Sequence, residues 1–138
     1  MNPTAIFHPM LALVAWTFVV LFMIPRRRFR AAREKLVRVA DFAYGESANV
    51  PGEVRLPSRN LANLFETPVL FYVACLTLFV TAKVDVVAVG LAWAYVAARI
   101  AHSLVHVSYN NVMHRMRAFV VGIALLMALW VRIAIALF

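Results

Sequence analysis

From Ala5 to Ile24 the chain runs for 20 residues without an acidic, lysine or arginine side chain. At about 1.5 Å per helical residue, such a run matches a hydrocarbon core roughly 30 Å thick. Inside lipid every backbone N–H and C=O must be satisfied within the chain itself, which restricts a segment of this kind to a helix. The rest of the chain is of the same kind, since 64% of its residues are hydrophobic and only 14% are charged, far from the balance of a soluble domain. Arginines follow this first run rather than precede it, the wrong order for a cleaved secretory signal, so the run is expected to remain as an anchor.

Three further apolar stretches follow. Pro25 and the block Arg26-Arg27-Arg28-Phe29-Arg30 are expected to end the first span, because proline and closely spaced guanidinium groups do not continue well into lipid. The second span is expected over about Leu61 to Ala82, with a kink beside Glu66 where Pro68 removes a hydrogen bond. Lys83-Val84-Asp85 then permits only a tight turn into a third span over about Val86 to Val107. A polar bend from Ser108 to Arg117 leads into a fourth span over about Ala118 to Phe138, with Arg132 near its far end, where a long side chain can reach the interface. The expected fold is all-α: one integral membrane domain of four helices over residues 1–138, with a connection over about residues 25–60. That connection is longer than ordinary loops and is expected to form a partly ordered cap over the mouth of a site.

Of the twelve arginines and two lysines, most lie between Arg26 and Arg59, beside apolar runs rather than across a soluble surface. The cluster therefore reads as a determinant of orientation, not as a nucleic-acid footprint, and no nucleic-acid partner is expected. From Arg26 to Arg59 there are nine basic residues against Glu34, Asp41, Glu46 and Glu53. The opposite side has Lys83 and little else. The positive-inside rule then puts the two basic segments in the cytoplasm and both termini outside. The single cysteine, Cys75, excludes an internal disulfide and reads as a small buried apolar residue.

Charge also enters the spans, and this is where chemistry is expected. Arg59, Asn63 and Glu66 fall at i, i+4 and i+7, on one helical face, and Arg99, His102 and His106 fall at i, i+3 and i+7, again on one face. An ionised residue at a span centre costs roughly 2.5 to 3.5 kcal/mol, so Glu66 needs a partner. Counted from the hairpin turn, Arg99 reaches a similar depth and is the expected one. Such a pair by itself can be purely architectural. With Arg59, Asn63, the two histidines, Arg115 and Arg117 on the same side, however, several cations surround one carboxylate, and an anionic ligand is the economical complement. A metal is not expected: the i, i+4 histidine pair lacks a third histidine or a cysteine, and neighbouring arginines repel a cation. His106 serves equally well as a packing residue or as a ligand contact. Tyr109 is a further candidate contact and serves equally as an interfacial aromatic residue, and His8 and His114 read as interfacial.

The spacing of Arg59, Asn63 and Glu66, the segment Ala98-Arg99-Ile100-Ala101-His102, and Arg115, Phe119 and Gly122 beyond it resemble the membrane-associated eicosanoid and glutathione metabolism family, nearest its microsomal glutathione transferase type. The resemblance is specific over about Arg55 to Gly122 and covers the four-span plan elsewhere. It implies a homotrimer with sites between subunits at the cytoplasmic side of the membrane; the membrane itself is expected to be the cell inner membrane. Glutathione would be held by Arg59, Asn63, Glu66, Arg99 and His102, with His106, Tyr109 and Arg117 nearby. Arg115, or Arg117 if the bend is spaced differently, would stand near the sulfur, and a hydrophobic small-molecule electrophile would arrive from the membrane lipid. Two positions depart from the family pattern: Ala62 stands where prostaglandin synthase members place an arginine, and His106 where several glutathione-using members have a tyrosine. Two other readings fit four short spans with one embedded glutamate: a small multidrug-type transporter, and a non-catalytic membrane protein that binds a lipid or an anion.

Overall fold

The first apolar run does form a helix, and it does not stop where the proline stands. The computed structural model describes residues 2–138. There α1 spans Phe7–Arg33, after one 3-10 turn over Pro3–Ile6 capped by the Asn2 side chain. It is followed by α2 over Gly52–Leu64, α3 over Thr67–Val80, α4 over Val86–Val107 and α5 over Val112–Leu137. Four stretches are long and apolar enough to cross a membrane: Pro3–Arg33, Gly52–Val80, Val86–Val107 and Val112–Leu137. Among the described residues there is no strand. The all-α, four-span expectation therefore holds, and the third span has the expected bounds.

The other three helices are longer than expected, for identifiable reasons. Pro25 lies inside α1 and removes one hydrogen bond to the carbonyl of Leu21, yet the following arginines find oxygen acceptors that keep the helix going. Arg27 donates from Nη1 to the Glu53 carbonyl at 2.7 Å and from Nη2 to the Val107 carbonyl at 2.5 Å. Arg28 donates to Glu46 Oε1 at 2.9 Å and to Ser58 Oγ at 3.3 Å. Arg30 and Arg33 lie in the last turn, where cations complement the helix dipole. The helix then stops in a Schellman cap: Lys35 takes φ 58°, and the amides of Leu36 and Lys35 donate to the carbonyls of Ala31 and Ala32.

The second span begins at Gly52 rather than Leu61, so the basic residues Arg55 and Arg59 are helical. It breaks at Phe65 and Glu66, where Glu66 has ψ −102° and Pro68 follows at the second position of α3. The expected kink is thus a full interruption between two helices. The fourth span begins at Val112 because Asn111 caps α5, its side chain accepting from the His114 amide at 3.0 Å. The long connection shrinks to the residues between Arg33 and Gly52. It packs through Val37, Val50 and the partly buried Phe42 against Ala31 and Val54, with the Arg28 guanidinium 4.5 Å from the Phe42 ring centre.

The buried stripes explain the bundle. Leu13 and Val20 of α1, Phe71, Ala74, Cys75 and Leu78 of α3, and Leu126, Leu129 and Ile133 of α5 close around α4. Along α4 the buried face changes character, from Ala88, Ala92, Tyr95 and Val96 to Arg99, His102, Ser103 and His106. α5 packs chiefly along α4. A Cβ placed on Gly122 would already stand 3.5 Å from the Arg99 Cδ, so a larger side chain there would press on the arginine stem. The α3–α4 turn is held by Asp85, whose Oδ1 accepts from the Ala88 amide at 2.7 Å and whose Oδ2 pairs with Arg132 of α5.

Two outcomes are expected. Asp85→Ala should lose both the cap and the ion pair and destabilise the detergent-solubilised protein by about 1 to 2 kcal/mol, whereas Asp85→Asn, which can still cap, should cost less; thermal unfolding at low and high salt separates the two. In the connection, Asp41 accepts from the Arg38 amide at 2.8 Å and from Ser47 Oγ at 2.9 Å, which holds its carboxyl below its ordinary value of 3.8. A depressed carboxylate contributes stability that is fully present above the ordinary value and is lost as pH falls through the lower one. Hydrogen exchange at residues 38–47 should therefore speed up on acidification below that value, and Asp41→Asn should show the faster exchange already at neutral pH.

Candidate functional site

Arg99 is 1% exposed, in a helix long and apolar enough to span a bilayer. Among the described residues it forms no ion pair. Its Nη2 donates instead to the carbonyl of Asn63 at 2.9 Å and to Asn63 Oδ1 at 2.6 Å. Asn63 Nδ2 in turn donates to Glu66 Oε2 at 3.2 Å. The expected Glu66–Arg99 pair is thus corrected to a chain, Arg99 to Asn63 to Glu66. The reason is the break at Phe65 and Glu66: leaving α2, the glutamate turns outward and is exposed, while Asn63 stays on the face that meets α4. Arg99 Nε and Nη1 have no partner among the described residues.

These groups border a cleft of about 390 Å³, lined by Arg59, Asn63 and Glu66 from the second span, His102 and His106 from α4, and Val112, Arg115, Met116 and Phe119 from α5. One wall is polar and the other is apolar. Arg99 lies behind the polar wall, reached through Asn63, with its guanidinium 5.6 Å from the Phe119 ring centre. His102 Nδ1 lies 3.2 Å from the Arg115 carbonyl; a carbonyl only accepts, so this nitrogen carries the hydrogen. Nε2 of His102 and Nδ1 of His106 are both buried without a partner among the described residues, and the two ring centres stand 5.8 Å apart. The Arg115 guanidinium donates to Asn110 Oδ1 at 2.9 Å.

Of the residues expected from the sequence, Arg59, Asn63, Glu66, His102, His106 and Arg115 line one cleft, and Arg99 stands directly behind it. Arg117 does not line it and is exposed, because two residues along a helix from Arg115 point to the other side. Tyr109 lies outside the cleft as well, exposed, with its hydroxyl 3.0 Å from His114 Nδ1. The ordered connection after α1 contributes no lining residue; it covers the α1 and α2 ends rather than the cleft mouth, contrary to the cap expectation.

Beneath the cleft lies a polar junction that the charge pattern did not reveal. Ser103 Oγ accepts from Trp16 Nε1 at 2.8 Å and from Asn60 Nδ2, tying α1, α2 and α4 together. Asn60 and Ser103 are both fully buried. A signal existed, since Ser103 lies four residues after Arg99 and Asn60 lies next to Arg59, but uncharged polar residues are cheap enough in a helix to pass as neutral. Trp16 thus uses its N–H inside the bundle.

Compared with known proteins, residues 6–135 match a family model described as the MAPEG family. No curated protein and no solved structure matches.

The geometry assigns different costs to the two polar residues of the second span. Asn63→Leu removes the side-chain acceptor of a buried guanidinium and should destabilise the protein by about 1.5 to 3 kcal/mol. Glu66→Gln should stay within about 0.5 kcal/mol of the parent. Equilibrium unfolding in mixed micelles measures both, and equal losses would restore a direct Glu66–Arg99 pair.

Proposed function

Since the chain belongs to the MAPEG family of four-helix membrane proteins, which includes glutathione transferases and related enzymes, we propose that it is a glutathione-dependent transferase or peroxidase acting on hydrophobic electrophiles drawn from the bilayer. The observation that carries this reading is the charge imbalance of the cleft: Arg59 and Arg115 line it and Arg99 backs it, against the single carboxylate of Glu66. Glutathione answers that imbalance group by group. It brings two carboxylates for guanidinium groups, one ammonium for Glu66 and a thiol whose ionised form a nearby cation favours.

Arg115 is the residue proposed to act on the sulfur. A guanidinium already held over the cleft stabilises developing thiolate charge without having to reorganise. The thiolate lone pair then attacks an electrophilic carbon, forming the S–C bond while the electrons move to a leaving group or onto an activated double bond that is subsequently protonated. With a hydroperoxide, attack on the terminal oxygen breaks the O–O bond, giving glutathione sulfenic acid and, once the alkoxide is protonated, an alcohol; the thiol of a second glutathione then attacks that sulfur, forming the disulfide as the S–O bond breaks and water leaves. The apolar wall of Val112, Met116 and Phe119 suits a lipophilic co-substrate lying beside a polar tripeptide. Arg59, Asn63, His102 and His106 are proposed to hold the tripeptide, with Arg99 fixing Asn63 from behind. Tyr109 and Arg117 are proposed only as outer contacts.

The assembly is proposed to be a homotrimer whose neighbouring subunit closes the open side of the cleft, in the cell inner membrane with the site toward the cytoplasm. The basic run from Arg26 to Arg59 supports that orientation. A proton-coupled transporter of cations is disfavoured by the same surplus of arginines around Glu66.

Millimolar glutathione should raise the thermal stability of the detergent-solubilised protein, and the protein should conjugate glutathione to a generic aryl electrophile. Arg115→Ala should lower kcat by roughly 10² to 10³ with a much smaller change in KM. Stabilisation without turnover would instead identify an anion-binding protein, and neither effect in intact oligomer would remove glutathione as the ligand.

A further inference from the structure

Arg115 stands in the first turn of α5, which starts at Val112. There the helix dipole is positive and disfavours a cation, and a long flexible side chain close to the membrane surface can swing out into water. Something must keep it over the cleft. Among the described residues its guanidinium bonds one side chain, that of Asn110, with Nη1 donating to Oδ1 at 2.9 Å. Asn110 is itself firmly set. It takes φ 47°, a left-handed conformation that asparagine tolerates better than most residues, and its amide donates to the Val105 carbonyl at 2.8 Å. The two asparagines of the bend thus divide the work: Asn111 caps α5 through the His114 amide, and Asn110 holds the arginine. From the other side, His102 holds the Arg115 carbonyl.

The chemistry of the holding group matters as much as its place. A carboxylate here would fix the guanidinium equally well but would neutralise it. An amide oxygen engages a single N–H and leaves the charge and the remaining donors for an anion in the cleft. The charged and titratable groups that share the cleft with Arg115 are Arg59 and Glu66 from the second span and His102 and His106 from α4, none of which bonds its side chain. We propose that Asn110 is a positioning residue that aims Arg115 at the sulfur while preserving its full charge. This rests on the glutathione reading above.

The test uses the full-length trimer or whatever oligomer purifies, with glutathione itself as probe. Three readouts are taken on wild type, Asn110→Asp and Asn110→Gly: glutathione affinity by calorimetry, the ultraviolet absorbance of bound thiolate against pH, and kcat and KM for conjugation. Aspartate is isosteric and keeps the left-handed turn, so it should bind glutathione but partly neutralise Arg115. A thiol less favoured as thiolate titrates at higher pH, so the thiolate signal should move up by about one pH unit, which is tenfold in thiolate population. The kcat at neutral pH should fall about tenfold in proportion, recovering as pH rises, which a merely structural defect would not do. Glycine keeps the turn and frees the arginine; it should show a smaller shift in the same direction, and it serves if the aspartate variant fails to fold. An unchanged thiolate titration in variants that still bind glutathione overturns the role of Asn110. Absence of binding or of a thiolate signal in wild type overturns the glutathione reading, and this inference with it.

Discussion

A guanidinium cannot be left bare in a bilayer. Arg99 is buried in a helix otherwise suited to spanning one, and it is solvated by a neighbouring helix rather than by a counter-ion: both oxygens of Asn63 accept from it. That requirement sets much of what surrounds it. The second span must bring Asn63 to the face of α4, so the chain leaves α2 right after this turn, and the break at Phe65 and Glu66 follows. α5 must come close enough for Gly122 to lie against the arginine stem and for Phe119 to cover the guanidinium. The polar half of α4 is thereby fixed as the inner wall of a cleft.

The same bundle keeps its polar contacts in layers. Far from the cleft, Asp85 both caps α4 and pairs with Arg132, clamping the turn end. In the middle the packing is apolar, from Leu13 and Phe71 to Leu129. Beyond it comes Arg99 with Asn63, then the junction of Trp16, Asn60 and Ser103, and at the end Arg27 of α1, which ties its helix to the start of α2 and the end of α4 through backbone carbonyls. In a medium with few competing donors, such links cost little to keep and much to break. They hold the helices that carry Arg59, His106 and Arg115 without pairing any of these residues, among the described ones, with a carboxylate. The cleft therefore keeps a surplus of positive charge, which is the property the proposed chemistry needs.

Membership of the MAPEG family accounts for the four-span plan, and the cleft adds chemistry particular to this chain. His102 donates to the backbone of Arg115 and Asn110 accepts from its side chain, so the arginine proposed to act on the sulfur is held at both ends without a carboxylate. Glu66 is exposed and joined to the cleft through Asn63, which leaves its carboxylate free for a cationic group on a ligand.

The sequence by itself determined the number of spans, the all-helical class and the two polar faces, because each follows from the helical period and from the cost of placing charge in lipid, which depend on residue order alone. It also determined that Arg59, Asn63 and Glu66 would meet His102 and His106. Tertiary structure decided how they meet. Whether Pro25 ends a helix depended on acceptors supplied by Glu53 and Val107, more than twenty residues away in the chain. Whether Glu66 or Asn63 answers Arg99 depended on the direction in which the chain leaves α2, and whether Arg115 or Arg117 faces the cleft depended on where Asn111 starts α5. The roles of Asn60, Ser103 and Asn110 were equally out of reach, since an uncharged polar side chain shows its importance only when its partner on another helix is known.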